Sequence, residues 1–166
     1  SAFAIGGAAW PGRPARIAYF VAAPSWYRFS IGWAARAWNE SGARVHLVEV
    51  RSRAQADVVI REDRTIERNG YASIGYQSAN HVELRRCAPG CADRFFMAAI
   101  AAHELGHVLG LDHPPGGCAL MRGDAIYAGC PSAVPPRPWK WQCRLLMRDD
   151  IAGAVRLYGG AVHVRR

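Results

Sequence analysis

Residues 94–109, RFFMAAIAAHELGHVL, constrain this chain more than any other stretch. The run is apolar nearly all round. A helix of that kind has to sit inside a core, enclosed by other elements, because it has no polar face to turn to water. Asp93 is a good N-cap for it and Gly110 a natural residue to end it. Enclosing such a helix takes apolar material, and 51% of the 166 residues are apolar against 20% charged, which supports one packed domain and argues against disorder.

The flanking sequence indicates what encloses it. Arg16–Ala22 (RIAYFVA) predicts a strand. Ser30–Glu40 has apolar residues at Ile31, Ala34, Ala35 and Trp38, an i, i+3, i+4, i+7 pattern that predicts an amphipathic helix closed by Ser41-Gly42. Val45–Val50, Ala56–Arg61, Tyr71–Tyr76 and His81–Arg86 read as strands, the last alternating at Val82 and Leu84. Beyond Gly110, Leu111–Arg148 is a long Pro- and Gly-rich stretch, a length uncommon without function or a staple. Asp149-Asp150 then open a last helix, IAGAVRLY, stopped by Gly159-Gly160. The expectation is an α/β (α+β) fold with its sheet in the N-terminal half. It forms a single domain, 1–166, divided into an N-terminal subdomain 1–110 and a smaller irregular C-terminal subdomain 111–166.

Lys and Arg number 21 against 13 Asp and Glu, a formal net charge of +8. The arginines are scattered and no nucleic-acid motif is present, so no nucleic-acid partner is expected. No apolar run is long enough to span a membrane. Ser1–Trp10 lacks the basic start of a signal peptide, which was either removed or never there. Cysteines stand at 87, 91, 118, 130 and 143. An odd count leaves at least one unpaired within the chain. The preferred pairs are Cys87–Cys91 and Cys118–Cys130, with Cys143 spare, and bridges of this kind point to an oxidising compartment, hence secretion.

The polar residues inside the apolar helix are His103, Glu104 and His107. Histidines four apart project from one helical face and can share one metal ion. Glu104 can reach a water on that ion without binding it. His113 follows three residues after Gly110, whose freedom at positive φ allows the turn that would bring a third imidazole back. Three neutral imidazoles with an open fourth position describe a catalytic zinc site. His-Glu-x-x-His alone arises by chance in about one in a hundred chains of this composition; requiring Gly110 and His113 as well lowers that to roughly three in a hundred thousand.

His103-Glu104-x-x-His107-x-x-Gly110-x-x-His113 resembles the extended zinc motif of the metzincin metallopeptidases. Ala119-Leu120-Met121 is similar to their Met-turn, which implies Met121 beneath the metal. The last helix, the first helix ending Ala37-Trp38-Asn39, and Ala56–Ile60 look matrixin-like. The nearest rival is a snapalysin-like reading, supported by Cys118 and Cys130 around the turn. That family uses Asp as third ligand, and Asp112 falls one position short, so His113 is retained. Pro114 replaces the usual matrixin serine. Asp63, Glu67 and Glu83 are too few for an evident calcium cage, which leaves a Ca2+ requirement open.

The resemblance implies a metzincin-like twisted mixed sheet with an active-site helix and a closing C-terminal helix. It also implies a zinc endopeptidase acting on protein or peptide substrates, with one catalytic Zn2+ on His103, His107 and His113 and Glu104 as general base and acid; nothing in the sequence suggests an obligate oligomer, so a secreted monomer is expected. Strand 71–76 is a candidate sheet edge for an extended peptide. Tyr127 is a candidate oxyanion stabiliser. Asp149 or Asp150 would hold a matured N-terminus or cap the helix. Trp139-Lys140-Trp141 is a candidate aromatic surface patch. The rival from another class is a catalytically silent zinc-bearing domain that captures peptide.

Overall fold

The structure, a computed structural model, describes residues 3–23, 25–86, 93–124, 126–130 and 145–163. Cys87, Cys91, Cys143 and Trp139–Trp141 lie outside the described residues.

The core is a five-stranded mixed sheet with two helices against it. In chain order come β1 (Ala4–Ile5), β2 (Ala15–Ala22), α1 (Ser25–Asn39), β3 (Val45–Glu49), β4 (Val58–Asp63), β5 (Gly70–Ala72), β6 (Asn80–Arg85), α2 (Arg94–Val108), β7 (Leu111–Asp112) and α3 (Arg148–Tyr158). The sheet order is β3-β2-β4-β6-β5. β2 pairs in parallel with β3 and β4, and β4 with β6; only β5 runs antiparallel, along one edge. The parallel pair β2–β3 needs a crossover, and α1 supplies it. The expected apolar stripe of α1 is fully inside, with Ile31, Ala34, Ala35 and Trp38 all at 3% exposure or less.

α1 and α2 pack against each other, α1 over β3 and α2 over β5 and β6. Every residue of α2 from Met97 to Val108 is buried, as its all-round apolar sequence requires. The indole N–H of the buried Trp38 donates to the Ala102 carbonyl at 2.9 Å, fixing one helix on the other.

Besides shifts of one or two residues at other strand ends, three larger differences from the sequence reading stand out. α1 begins at Ser25, a turn and a half before Ser30, because buried Tyr27 extends the stripe one step before Ile31. The strand expected over 71–76 is only Gly70–Ala72. The chain leaves the sheet there, and Gly75, at φ 69°, gives its N–H to the His107 carbonyl at 2.8 Å instead of to a strand. The long stretch after Gly110 also contains β7, which pairs antiparallel with β1. Two-residue strands carry no periodicity to read.

Candidate active site

α2 and the turn after it build the site. His103 and His107 stand one helical turn apart on α2. Gly110, at φ 99°, reverses the chain so that His113 folds back over them. The Nε2 atoms then lie 3.1 Å (103–113), 3.2 Å (107–103) and 3.0 Å (107–113) apart. His103 and His107 are buried and His113 is exposed.

Their second nitrogens determine what this triangle can be. His103 Nδ1 lies 2.8 Å from the Leu120 carbonyl and His107 Nδ1 lies 2.8 Å from the Leu111 carbonyl. A carbonyl only accepts, so each Nδ1 carries the proton and each Nε2 presents a lone pair. Two buried lone pairs facing each other repel, and a cation between them removes the conflict. Three nitrogens around a tetrahedral zinc at about 2.0–2.1 Å would be about 3.3 Å apart, close to the separations here. Burial pushes His103 down to about 4 and lowers His107, so both rings are neutral at neutral pH.

Glu104 lines the same cleft, a hollow of about 670 Å³. Its side chain rests against the backbone of β5: a Cβ added at Gly70 would lie 2.5 Å from Glu104 Oε1. Burial raises its carboxyl to about 8, partly offset by the positive charge of Arg68.

The surrounding shell holds these groups in place. The last carbonyls of α2 are taken up one by one: His107 by Gly75 and Gly110 N–H, Val108 by the Trp10 indole at 2.7 Å, and Leu109 by the Tyr158 hydroxyl at 2.7 Å. Met121 is buried with its sulfur against Gly106, where a Cβ would be 2.3 Å from Sδ. The buried Asp150 carboxylate accepts N–H groups from Leu120 (2.9 Å), Met121 (3.1 Å) and Met147 (2.8 Å). It therefore caps α3 and also fixes the turn whose Leu120 carbonyl orients His103. Of the two roles expected for Asp149 or Asp150, capping is present at Asp150. The pinning of the turn was missed, since nothing in the local pattern separates a buried helix-start acid from an exposed one. Gly70, Trp10 and Tyr158 were missed as well, all being distant in sequence from the motif.

The Cys118–Cys130 bridge is formed, closing the loop around this turn. Tyr127 is placed differently from the expectation. Its hydroxyl gives its one proton to the Leu145 carbonyl at 2.8 Å, and the residue is not among those lining the cleft, so in this arrangement it donates nothing to an oxyanion there. Burial, chiefly, raises its phenol. Its neighbour Ile126 faces the cleft instead. His81 is engaged with Ser73 and not with the histidine cluster.

A mixed sheet stacked on a helix that contributes two of three converging histidines is the arrangement of a metalloprotease catalytic domain. Residues 15–144 match the model of the Streptomyces extracellular neutral proteinase (M7) family, and the chain belongs to that family. The ranking of matrixin over snapalysin is thereby corrected. The motif as far as Gly110 does not separate the two readings, and the cysteines around the turn were the more telling feature. Among solved structures, the chain is similar in fold to myroilysin, at 17% identity and a TM-score of 0.53, over 63% of this chain and 52% of that one. The match thus spans about half of the myroilysin chain. No curated protein matches in sequence.

Proposed function

We propose that this chain is a secreted zinc endopeptidase with one catalytic zinc, hydrolysing protein or peptide substrates. One observation supports it above the others: three imidazole Nε2 atoms within 3.2 Å of one another, beside a buried carboxyl, in an open cleft. His103, His107 and His113 would hold the ion. Zinc, when bound, polarises a carbonyl and acidifies water.

Glu104 takes a proton from the attacking water at its carboxylate as the oxygen bonds to the peptide carbon. It gives that proton to the departing amine nitrogen as the C–N bond breaks. No side-chain nucleophile is required. β5 supplies the substrate platform. Register places Tyr71 and Ser73 in the hydrogen-bonded pairs with β6, so the backbone groups of Gly70 and Ala72 face the open edge, ready for an extended peptide. Residues 1–110 and 111–166 act as one catalytic domain, since Tyr158 of α3 bonds both Trp10 and Leu109. The disulfide and the extracellular family support secretion.

Casein digestion tests this directly. Activity should vanish with a zinc chelator and return with zinc. Glu104→Ala should keep one zinc per chain and lose turnover by about 10²–10⁴-fold. A zinc-loaded Glu104→Ala protein that digests casein at the wild-type rate overturns the reading. A wild-type zinc protein that binds peptide without cleaving it supports the silent binding domain instead.

A further inference from the structure

Arg68, Glu104, Asp112, Arg122 and Asp124 supply the acidic and basic side chains of the cleft lining besides the histidines. Most are already engaged. Arg122 and Asp124 hold each other through contacts of 2.8 and 2.5 Å. Asp112 Oδ1 accepts the backbone N–H of His113 at 2.7 Å. Glu104 stands beside the histidines. Arg68 is exposed and forms no salt bridge among the described residues.

Arg68 stands at a bend just before β5. The ladder with β6 extends to Asn69, whose carbonyl accepts the Arg85 N–H at 3.0 Å. Arg68, the residue before it, lines the cleft together with Gly70 and Ala72. This stretch runs beside α2, since Gly70 abuts Glu104 and Ala72 is buried, and Tyr71, 51% exposed, lines the cleft as well. Arg68 thus overhangs the cleft where the open edge of β5 begins, close enough for its charge to act on Glu104.

We infer that Arg68 is a specificity-determining residue, selecting substrates that carry an acidic side chain on the flank of the scissile bond running past residues 68–70. This rests on the peptidase reading and names its substrate class: acidic proteins. A guanidinium with no salt bridge among the described residues can offer its fork to a carboxylate without first breaking an ion pair. The net charge of +8 draws the same class of protein toward the surface.

The test uses zinc-loaded enzyme and a fluorogenic peptide series with amidated ends. A single Glu, Gln or Lys is walked through three positions on each side of the cleaved bond. Wild type should prefer Glu over Gln by about three- to fivefold in kcat/KM at a position on one flank only, with Lys below Gln. Arg68→Gln should bring the Glu/Gln ratio to about one, and Arg68→Glu should invert it in favour of Lys. Zinc content and melting temperature establish that the variants are folded.

A Glu/Gln ratio that Arg68→Gln leaves unchanged overturns the inference. So does a variant that slows every peptide equally, which would make Arg68 a tuner of Glu104 only. A gain that follows a free peptide C-terminus in a control set, and not the Glu side chain, overturns it too. If wild type cleaves none of the peptides and no casein, the peptidase reading itself falls. If it cleaves all of them without charge preference, only the role of Arg68 falls.

Discussion

Glu104 lies against a position where only a hydrogen fits. The Cα of Gly70 on β5 is so near the carboxyl that a methyl group there would stand 2.5 Å from Oε1 and 2.7 Å from Cγ. No Cβ fits at those distances, so Gly70→Ala must displace the Glu104 side chain. A displacement of about 1 Å can cost on the order of 10²-fold in rate. We expect Gly70→Ala to bind one zinc per chain and to lose kcat by about tenfold or more. Metal analysis beside steady-state kinetics checks this, and full activity would mean that the carboxyl is not seated by β5. The convergence of His103, His107 and His113 was legible in the sequence because the helix repeat alone aligns the first two and one glycine turn returns the third, with Glu104 next to His103 in the chain. Gly70 was not legible, since only the packing of β5 on α2 brings it to the carboxyl.

At the scale of elements, α3 closes the site through one side chain. Asp150 is 1% exposed and gathers three backbone N–H groups, two of them from the turn under the histidines. Burial raises its carboxyl from 3.8 to about 6 even so. The folded state therefore holds this proton more tightly than the unfolded chain. Its stabilising contribution is complete below pH 4 and is lost as pH rises through about 6. Over that window the loss is about 3 kcal/mol. Asp150→Asn does not titrate, so the stability of wild type relative to this variant should fall by up to that amount between pH 4 and pH 6.5. Denaturant titrations at several pH values measure it, and a constant difference would contradict the assignment. The variant should also start less stable at pH 4, because one amide oxygen replaces two acceptors.

For the whole molecule, the staple is Cys118–Cys130, with twelve residues of separation. It closes the segment that contains Ala119–Met121, held by Asp150, and Tyr127, held by Leu145. Loop-closure entropy for that length amounts to about 3 kcal/mol. The double variant Cys118→Ser/Cys130→Ser should melt roughly 6–12 °C lower. Its zinc affinity should weaken as well, because His103 takes its orientation from the Leu120 carbonyl inside the stapled loop. Calorimetry and a competitive zinc titration check both effects. An unchanged zinc affinity with a lowered melting point would separate the staple from the metal site.

The sequence by itself determined the buried helix, the histidine spacing and the apolar stripe of α1, and it favoured the bridge between Cys118 and Cys130, because each depends on residues within a few turns of one another. Tertiary structure alone decided what surrounds them. It made Gly70–Ala72 the sheet edge over the cleft, put Asp150 under the turn, and set Trp10, Gly75 and Tyr158 on the last carbonyls of α2. It also turned the Tyr127 hydroxyl to Leu145. Those contacts join segments far apart in the chain. Their partners are set by how the sheet, helices and C-terminal turn pack, and a local pattern of polar and apolar residues carries no information about which distant backbone group will be left needing a hydrogen bond.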